Sequence, residues 1–171
     1  ECKQRMDYMI RVLNECQQAH TTNHAQWGDG YAGGVPNSKE IWSTLKTGEL
    51  KAYRDAWVPW YNVHKMFAGL RDAWVYAGNE DARRMFLKFC DWGISVTATL
   101  SEKQMQSMLD TEHGGMNEIF ADAFQISGDA KYLNAAKRFS HKAFLEPLST
   151  GVDNLDNKHA NTQVPKAIGF Q

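Results

Sequence analysis

Three histidines recur along this chain of 171 residues at nearly even steps: His64, His113 and His159. The gaps between them are 49 and 46 residues, and each histidine falls where a loop gives way to a helical pattern. A neutral imidazole both donates and accepts hydrogen bonds, so it can bind a polar ligand. Helical hairpins repeated at this interval bring equivalent helix ends onto one rim. We therefore expect the three imidazoles to converge on a polar pocket.

The sharpest of the three segments is residues 112–118, which read Glu-His-Gly-Gly-Met-Asn-Glu. Paired glycines let the backbone approach a ligand closely, and the N–H groups of a helix start can hold an oxygen atom. Asn117 and Glu118 are therefore candidate binding residues, although they could equally cap the helix. Residues 57–65 and 158–163 also place an imidazole and amides at a helix start, and for His64 the alternative is a hydrogen-bonded core histidine.

These residue types suit a sugar. Imidazoles and amides match hydroxyl groups, and aromatic faces match the C–H surfaces of a sugar ring. The net charge of −1 and the lack of a basic cluster argue against nucleic acid or a membrane surface as a partner, and no run of 18 apolar residues could span a bilayer. Tyr31, in a long loop over residues 20–37, and Trp60 are the aromatic candidates for substrate binding, with a core position as the alternative.

A metal centre is a weaker interpretation of the same residues. The three histidines could hold zinc, but no pair among them has the four-residue spacing that places two ligands on one helix face. Cys2, Cys16 and Cys90 are too scattered for a metal-binding pair or a disulfide framework, so they read as buried thiols. We therefore expect no metal site within these 171 residues, and the compartment stays open.

The spacing of apolar residues predicts helices throughout and no strand of ordinary length. Inner and outer helices alternate, and Gly78 and Gly128 end two inner helices 50 residues apart. This helical-hairpin repeat predicts an all-α fold, a partial α/α toroid or at least an α-solenoid, as a single partial domain over residues 1–171. The predicted helices are residues 1–19, 38–45, 58–77, a helix capped by Asn79, 101–110, 116–127, a helix capped by Asp129, and one from about Asn161.

Four stretches together resemble the β-L-arabinofuranosidase group of glycoside hydrolases, families 127 and 146. They are Gly30–Pro36, Trp57–Leu70, Glu112–Glu118 and His159–Lys166. The most specific are the Trp-Val-Pro-Trp-Tyr-Asn-Val-His run and the His-Gly-Gly-Met-Asn-Glu run. The likeness covers nearly the whole chain from Gly30 onward, and it implies a six-hairpin (α/α)6 toroid whose inner helix ends form a sugar pocket.

The resemblance also implies roles for individual residues. Motif by motif, the sugar-binding histidines of these families correspond to His64, His113 and His159, with Asn117 and Glu118 in the same pocket. The family mechanism is retaining and uses a zinc-bound cysteine nucleophile with a glutamate acid/base. Those groups belong to family segments later than Gln171, so we expect zinc only in the full-length enzyme and no catalysis by this chain alone.

The substrate implied by this resemblance is an arabinose-containing oligosaccharide or polysaccharide of the plant type. Two other function classes stay open. One is a non-catalytic helical module that binds carbohydrate or serves as a scaffold. The other is a different six-hairpin enzyme, such as an unsaturated glucuronyl hydrolase or an epimerase, which would place acidic residues where this chain has histidines.

Overall fold

The computed structural model describes residues 1–171 and is entirely helical, which confirms the predicted all-α class. None of its helices is long and apolar enough to cross a membrane. The eleven helices are α1 Cys2–Asn23, α2 Ala25–Gly28, α3 Ser38–Lys46, α4 Lys51–Asp55, α5 Pro59–Val75, α6 Glu80–Thr97, α7 Glu102–Leu109, α8 Met116–Ser127, α9 Ala130–Arg138, α10 Lys142–Ser149 and α11 Ala160–Phe170.

The predicted hairpins form from α5 with α6 and from α8 with α9. Each turn contains a glycine in the left-handed region, with φ of 65° at Gly78 and 72° at Gly128, where other residues are strained. A short polar side chain then caps each second helix. Asn79 accepts a hydrogen bond from the N–H of Ala82, and Asp129 does the same for Lys131.

Helix α6 departs from the expectation of an outer helix. It buries nine residues, among them Phe89 and Trp92, because α5 and α8 pack on it and so do α1 and α3. The N-terminal helices thus form a further layer beyond the hairpin repeat. Only part of α6, including Arg84, is open to solvent, so α6 lies between two helical layers.

Short helices occupy several segments that we expected to be irregular. Helix α2 lies within the predicted 20–37 loop and α4 within residues 47–57. The polar run from Pro147 to Lys158 predicts a loop, whereas helix α10 continues past Pro147 to Ser149. A last helix from about Asn161 should tolerate Pro165 only in its first turn, whereas α11 contains it beyond that turn. Helices of four to eight residues give little periodic signal, so sequence patterns identify them poorly.

A cluster of 33 buried residues forms the core and is rich in aromatic rings. Phe67 of α5 and Phe89 of α6 stack with ring centroids 3.9 Å apart. Trp42, Trp60 and Trp92 contact one another, with centroid distances of 4.9 to 5.4 Å. These contacts fix α5 against α6 and α3, and α5 carries the first of the three histidines.

Phe67→Ala should destabilise the chain by about 3–5 kcal/mol, because it removes a fully buried ring and leaves a cavity beside Phe89. Urea unfolding followed by circular dichroism measures the change. Tyr76→Ala is the matched control, since Tyr76 is an aromatic residue at the end of the same helix and is 76% exposed. A Phe67→Ala loss no larger than that of the control would contradict this account of the core.

Candidate functional site

The imidazole of His64 packs directly on the backbone of the two glycines that precede α8. Gly114 has φ of 58°, in the left-handed region. A Cβ at Gly114 would lie 2.6 Å from Nδ1 of His64, and a Cβ at Gly115 would lie 3.1 Å from Nε2. The first distance is too short for any side chain, and the second would require the ring to shift by a few tenths of an ångström. We predicted that the paired glycines admit a ligand, whereas the structure shows that they admit the His64 ring.

His64 is a neutral imidazole in this position. Its burial lowers the pKa to about 4, and the charge of neighbouring Lys65 acts in the same direction. Nδ1 is buried and makes no hydrogen bond with the protein. A buried polar atom without a partner is uncommon in folded proteins. The ring is therefore positioned by its packing on the two glycines and not by a hydrogen bond through Nδ1.

The carboxylate of Glu118 approaches the same glycine. A Cβ at Gly115 would be 3.0 Å from Oε2 of Glu118 and 3.1 Å from Nε2 of His64, so both side chains lie close to one point beside the backbone. The pKa of Glu118 is raised, first by burial and then by the charge of Asp122 one turn along α8. Arg71 of α5 opposes this shift. Its Nε lies 2.9 Å from Oδ2 of Asp122.

These contacts show that α5 and α8 run parallel and side by side. His64 meets Gly115 at the helix starts, and Arg71 meets Asp122 about two turns further along. A cavity of about 500 Å³ lies beyond that ion pair, lined by Trp74 and by other residues of both helices. The leading ends of two inner helices thus meet, as predicted. The cavity lies towards the opposite ends.

His113 and Asn117 are fully buried, so neither presents a surface to a ligand in this structure. Nδ1 of His113 donates to the carbonyl of Thr111, 3.0 Å away, and burial lowers the pKa of the ring to about 3. The amide of Asn117 donates to the carbonyl of Lys166 at 2.8 Å. Both residues tie the loop and α8 to their neighbours, although His113 Nε2 and Asn117 Oδ1 have no partner.

His159 does not join the other histidines at a common rim. It is exposed and precedes α11 without capping it. Helix α11 touches the start of α8 with its last turn, since a Cβ at Gly169 would lie 2.7 Å from Cγ of Asn117. Gly169 comes ten positions after His159, which places His159 about 15 Å away along the helix axis. Of the three helix starts, the structure brings together two.

Tyr31 and Trp60 have no exposed surface, so neither ring can stack on a sugar in this structure. The hydroxyl of Tyr31 accepts a hydrogen bond from the N–H of Val35. Nε1 of Trp60 points to Sδ of Met108, 3.2 Å away. Both aromatic rings belong to the core, which was the alternative for such residues. Local sequence could not decide this, because a core ring and a ligand-facing ring look alike in a helical pattern.

A family model described as "Beta-L-arabinofuranosidase, GH127 catalytic domain" matches residues 1–171. The chain belongs to this family. It is therefore a member of a glycoside hydrolase family, as the motifs around His64 and His113 indicated. A comparison with curated proteins found no match.

The cysteines of this GH127 chain do not fit a zinc–thiolate site. Cys2 and Cys16 are exposed on α1, while Cys90 is fully buried in α6, where burial raises the pKa of its thiol. No group of three histidine, cysteine or carboxylate side chains is placed to hold a metal ion. A zinc–thiolate site needs its thiolates gathered at one point, and these three cysteines are not gathered.

A buried network of polar side chains lies beside His113, and no sequence pattern predicted it. Lys166 of α11 is 1% exposed, and its ammonium donates to Nδ1 of His141, 3.0 Å away. Nε2 of His141 in turn lies 3.2 Å from Oδ1 of Asp110. Burial lowers the pKa of Lys166 to about 8. A single lysine in a helical pattern normally indicates a solvated face, so no sequence signal marked this one.

Gly114→Ala should destabilise the GH127 chain more than Gly128→Ala. Both positions have positive φ, which costs alanine about 1–2 kcal/mol. Only at Gly114 would the new methyl group also collide with His64, adding about 1–3 kcal/mol, since nothing lies within 4 Å of a Cβ at Gly128. Urea unfolding of both variants measures the difference. Equal losses would mean that His64 does not pack on this loop.

The stability of the chain should fall as the pH drops from about 6.5 to 4. His64 and His113 have folded pKa values of about 4 and 3, below the ordinary value of 6.5, so in this window the unfolded chain binds more protons. The raised pKa of Glu118 acts in the opposite direction. Urea unfolding at several pH values gives the slope. His64→Gln and His113→Gln should each reduce it, and an unchanged slope in both would contradict these burial effects.

Proposed function

We propose that this chain forms part of the sugar-binding site of a β-L-arabinofuranosidase, with His64 and Glu118 as its binding residues. The observation that carries the proposal is the meeting of these two side chains at Gly115, within a GH127 chain. A neutral imidazole and a carboxylate close to one backbone point can share the hydroxyl groups of a single small sugar.

The chemistry of the pair favours a neutral polyol over an ion. Burial keeps His64 neutral, so its Nε2 either donates or accepts a hydrogen bond according to the tautomer. Glu118 accepts hydrogen bonds when ionised and donates one when protonated, and its raised pKa brings the two forms closer in free energy. Neighbouring Gly114 and Gly115 leave no side chain between the two groups. Such a set suits the adjacent hydroxyl groups of a furanose ring.

The bond-cleaving groups of this reaction class are, in our proposal, supplied by GH127 segments other than these 171 residues. A retaining mechanism through a cysteine needs a thiolate held at the anomeric carbon and a separate acid/base carboxylate. Cys90 is sealed in the core, and Cys2 and Cys16 lie on α1, with no metal-binding group near them. We therefore assign binding and orientation, not bond cleavage, to this part of the domain.

Binding of methyl β-L-arabinofuranoside to the chain tests the proposal directly. Saturation-transfer NMR should detect the sugar with the wild-type chain. His64→Ala and Glu118→Gln should each weaken binding about tenfold, since each removes hydrogen bonds to the ligand worth about 1.4 kcal/mol. His24→Ala is the control, because His24 is an exposed histidine at the end of α1. Equal binding by wild type and both site variants would overturn the assignment.

Assays of hydrolysis separate binding from catalysis. With added zinc, the 171-residue chain should not cleave an aryl β-L-arabinofuranoside. In an enzyme that carries these residues together with the cysteine nucleophile, His64→Ala should lower kcat/KM at least tenfold, about 1.4 kcal/mol of transition-state stabilisation. Turnover by the chain alone would contradict the proposed division of roles. Sugar binding without turnover in any longer form would instead identify a non-catalytic carbohydrate-binding module.

A further inference from the structure

We infer that Trp57 forms a stacking platform for a second sugar unit, next to the site of His64 and Glu118. This inference rests on the proposed function and deepens it, because it assigns a position to the part of the substrate beyond the bound arabinofuranose. Trp57 is 86% exposed, more than any other large apolar side chain of the chain. Four of the other five tryptophans are buried, and Trp74 is partly buried.

The backbone holds Trp57 outward at a conformational cost. Val58, the next residue, has φ of 37° and ψ of 60°, a left-handed conformation that β-branched residues rarely adopt. The side-chain amide of Asn62 donates to the carbonyls of Trp57 and Val58, at 3.0 and 3.2 Å. Pro59 then begins α5 with its fixed φ. Strained backbone that is clamped in this way clusters at functional sites.

Trp57 lies at the same end of α5 as the candidate site. It comes two residues before the helix begins at Pro59, and His64 follows in the second turn, about 7.5 Å further along the axis. The start of α8, with Gly115, lies beside the same end. In the inferred arrangement the first ring of a disaccharide lies at His64 and Glu118, and its second ring lies on the indole at the same end of α5.

The surroundings of Trp57 favour a sugar over another protein. A protein-docking surface is a contiguous apolar patch, whereas Asp55, Asn62 and Lys65 are all exposed polar residues in this segment. Lys65 itself lies over the ring of Tyr61, with Nζ 4.7 Å from the centroid. One flat indole among donors and acceptors matches a sugar ring, which presents a C–H face and a rim of hydroxyl groups.

Tryptophan indole N–H signals in ¹H–¹⁵N spectra of the chain test this inference without any need for turnover. The probes are methyl β-L-arabinofuranoside and the methyl glycoside of a β-linked L-arabinofuranose disaccharide. The Trp57 signal, assigned by its loss in Trp57→Phe, should shift with the disaccharide. Trp57→Ala should weaken disaccharide binding about tenfold and leave monosaccharide binding within about twofold. Trp57→Phe should retain most of the affinity.

Two further variants check that the effect comes from stacking. Tyr76→Ala removes an aromatic residue that is 76% exposed at the opposite end of α5, and it should change neither affinity. Asn62→Ala removes both clamping bonds, and it should weaken only the disaccharide. If the monosaccharide binds and Trp57→Ala does not affect the disaccharide, this inference falls while the proposed function stands. If neither sugar binds, both fall.

Discussion

The packing of the His64 ring on bare backbone is the constraint on which the candidate site depends. An imidazole can lie against Gly114 and Gly115 only because neither residue has a Cβ, and Gly114 also takes a φ that other residues avoid. The same contact fixes where α8 begins relative to α5. This one packing arrangement therefore sets the position of the His64 ring, the direction of the loop and the placement of Glu118. A methyl group at either glycine would disturb all three.

Aromatic packing behind α5 makes that arrangement rigid. Trp60, in the first turn of α5, contacts Trp42 of α3, Trp92 of α6 and Phe139 after α9. Three separate parts of the chain thus hold the helix start that carries His64. The N-terminal helices, which add little to the hairpin repeat, contribute to the site through this packing. Binding geometry in such a site is set by the core more than by the loops that line it.

More of the fold than of the candidate site could be predicted from the sequence. The hairpins can be identified from the turns at Gly78 and Gly128 and from the polar caps that follow them. These signals are local, and their backbone requirements are strict. The exposure of a side chain depends on contacts between distant segments. The pattern could not show that Trp60 is sealed while Trp57 is open, or that Lys166 is buried beside His141. The nearly even spacing of the histidines also did not predict the position of His159. Spacing along the chain does not determine the angles at which helices cross.

Burial gives different roles to His64 and His113, the two histidines of the α5–α8 region. Both are neutral because water is excluded, and the pKa values of about 4 and 3 express the same desolvation. His113 uses Nδ1 to hold the carbonyl of Thr111, so its ring orientation is set within the loop. Each ring keeps one buried nitrogen without a protein partner, Nδ1 in His64 and Nε2 in His113, so hydrogen-bonding capacity does not separate them. Exposure does, because His113 is fully buried whereas His64 is 9% exposed and lies beside Glu118. On this physical ground His64, and not His113, is the histidine to test first for contact with a sugar.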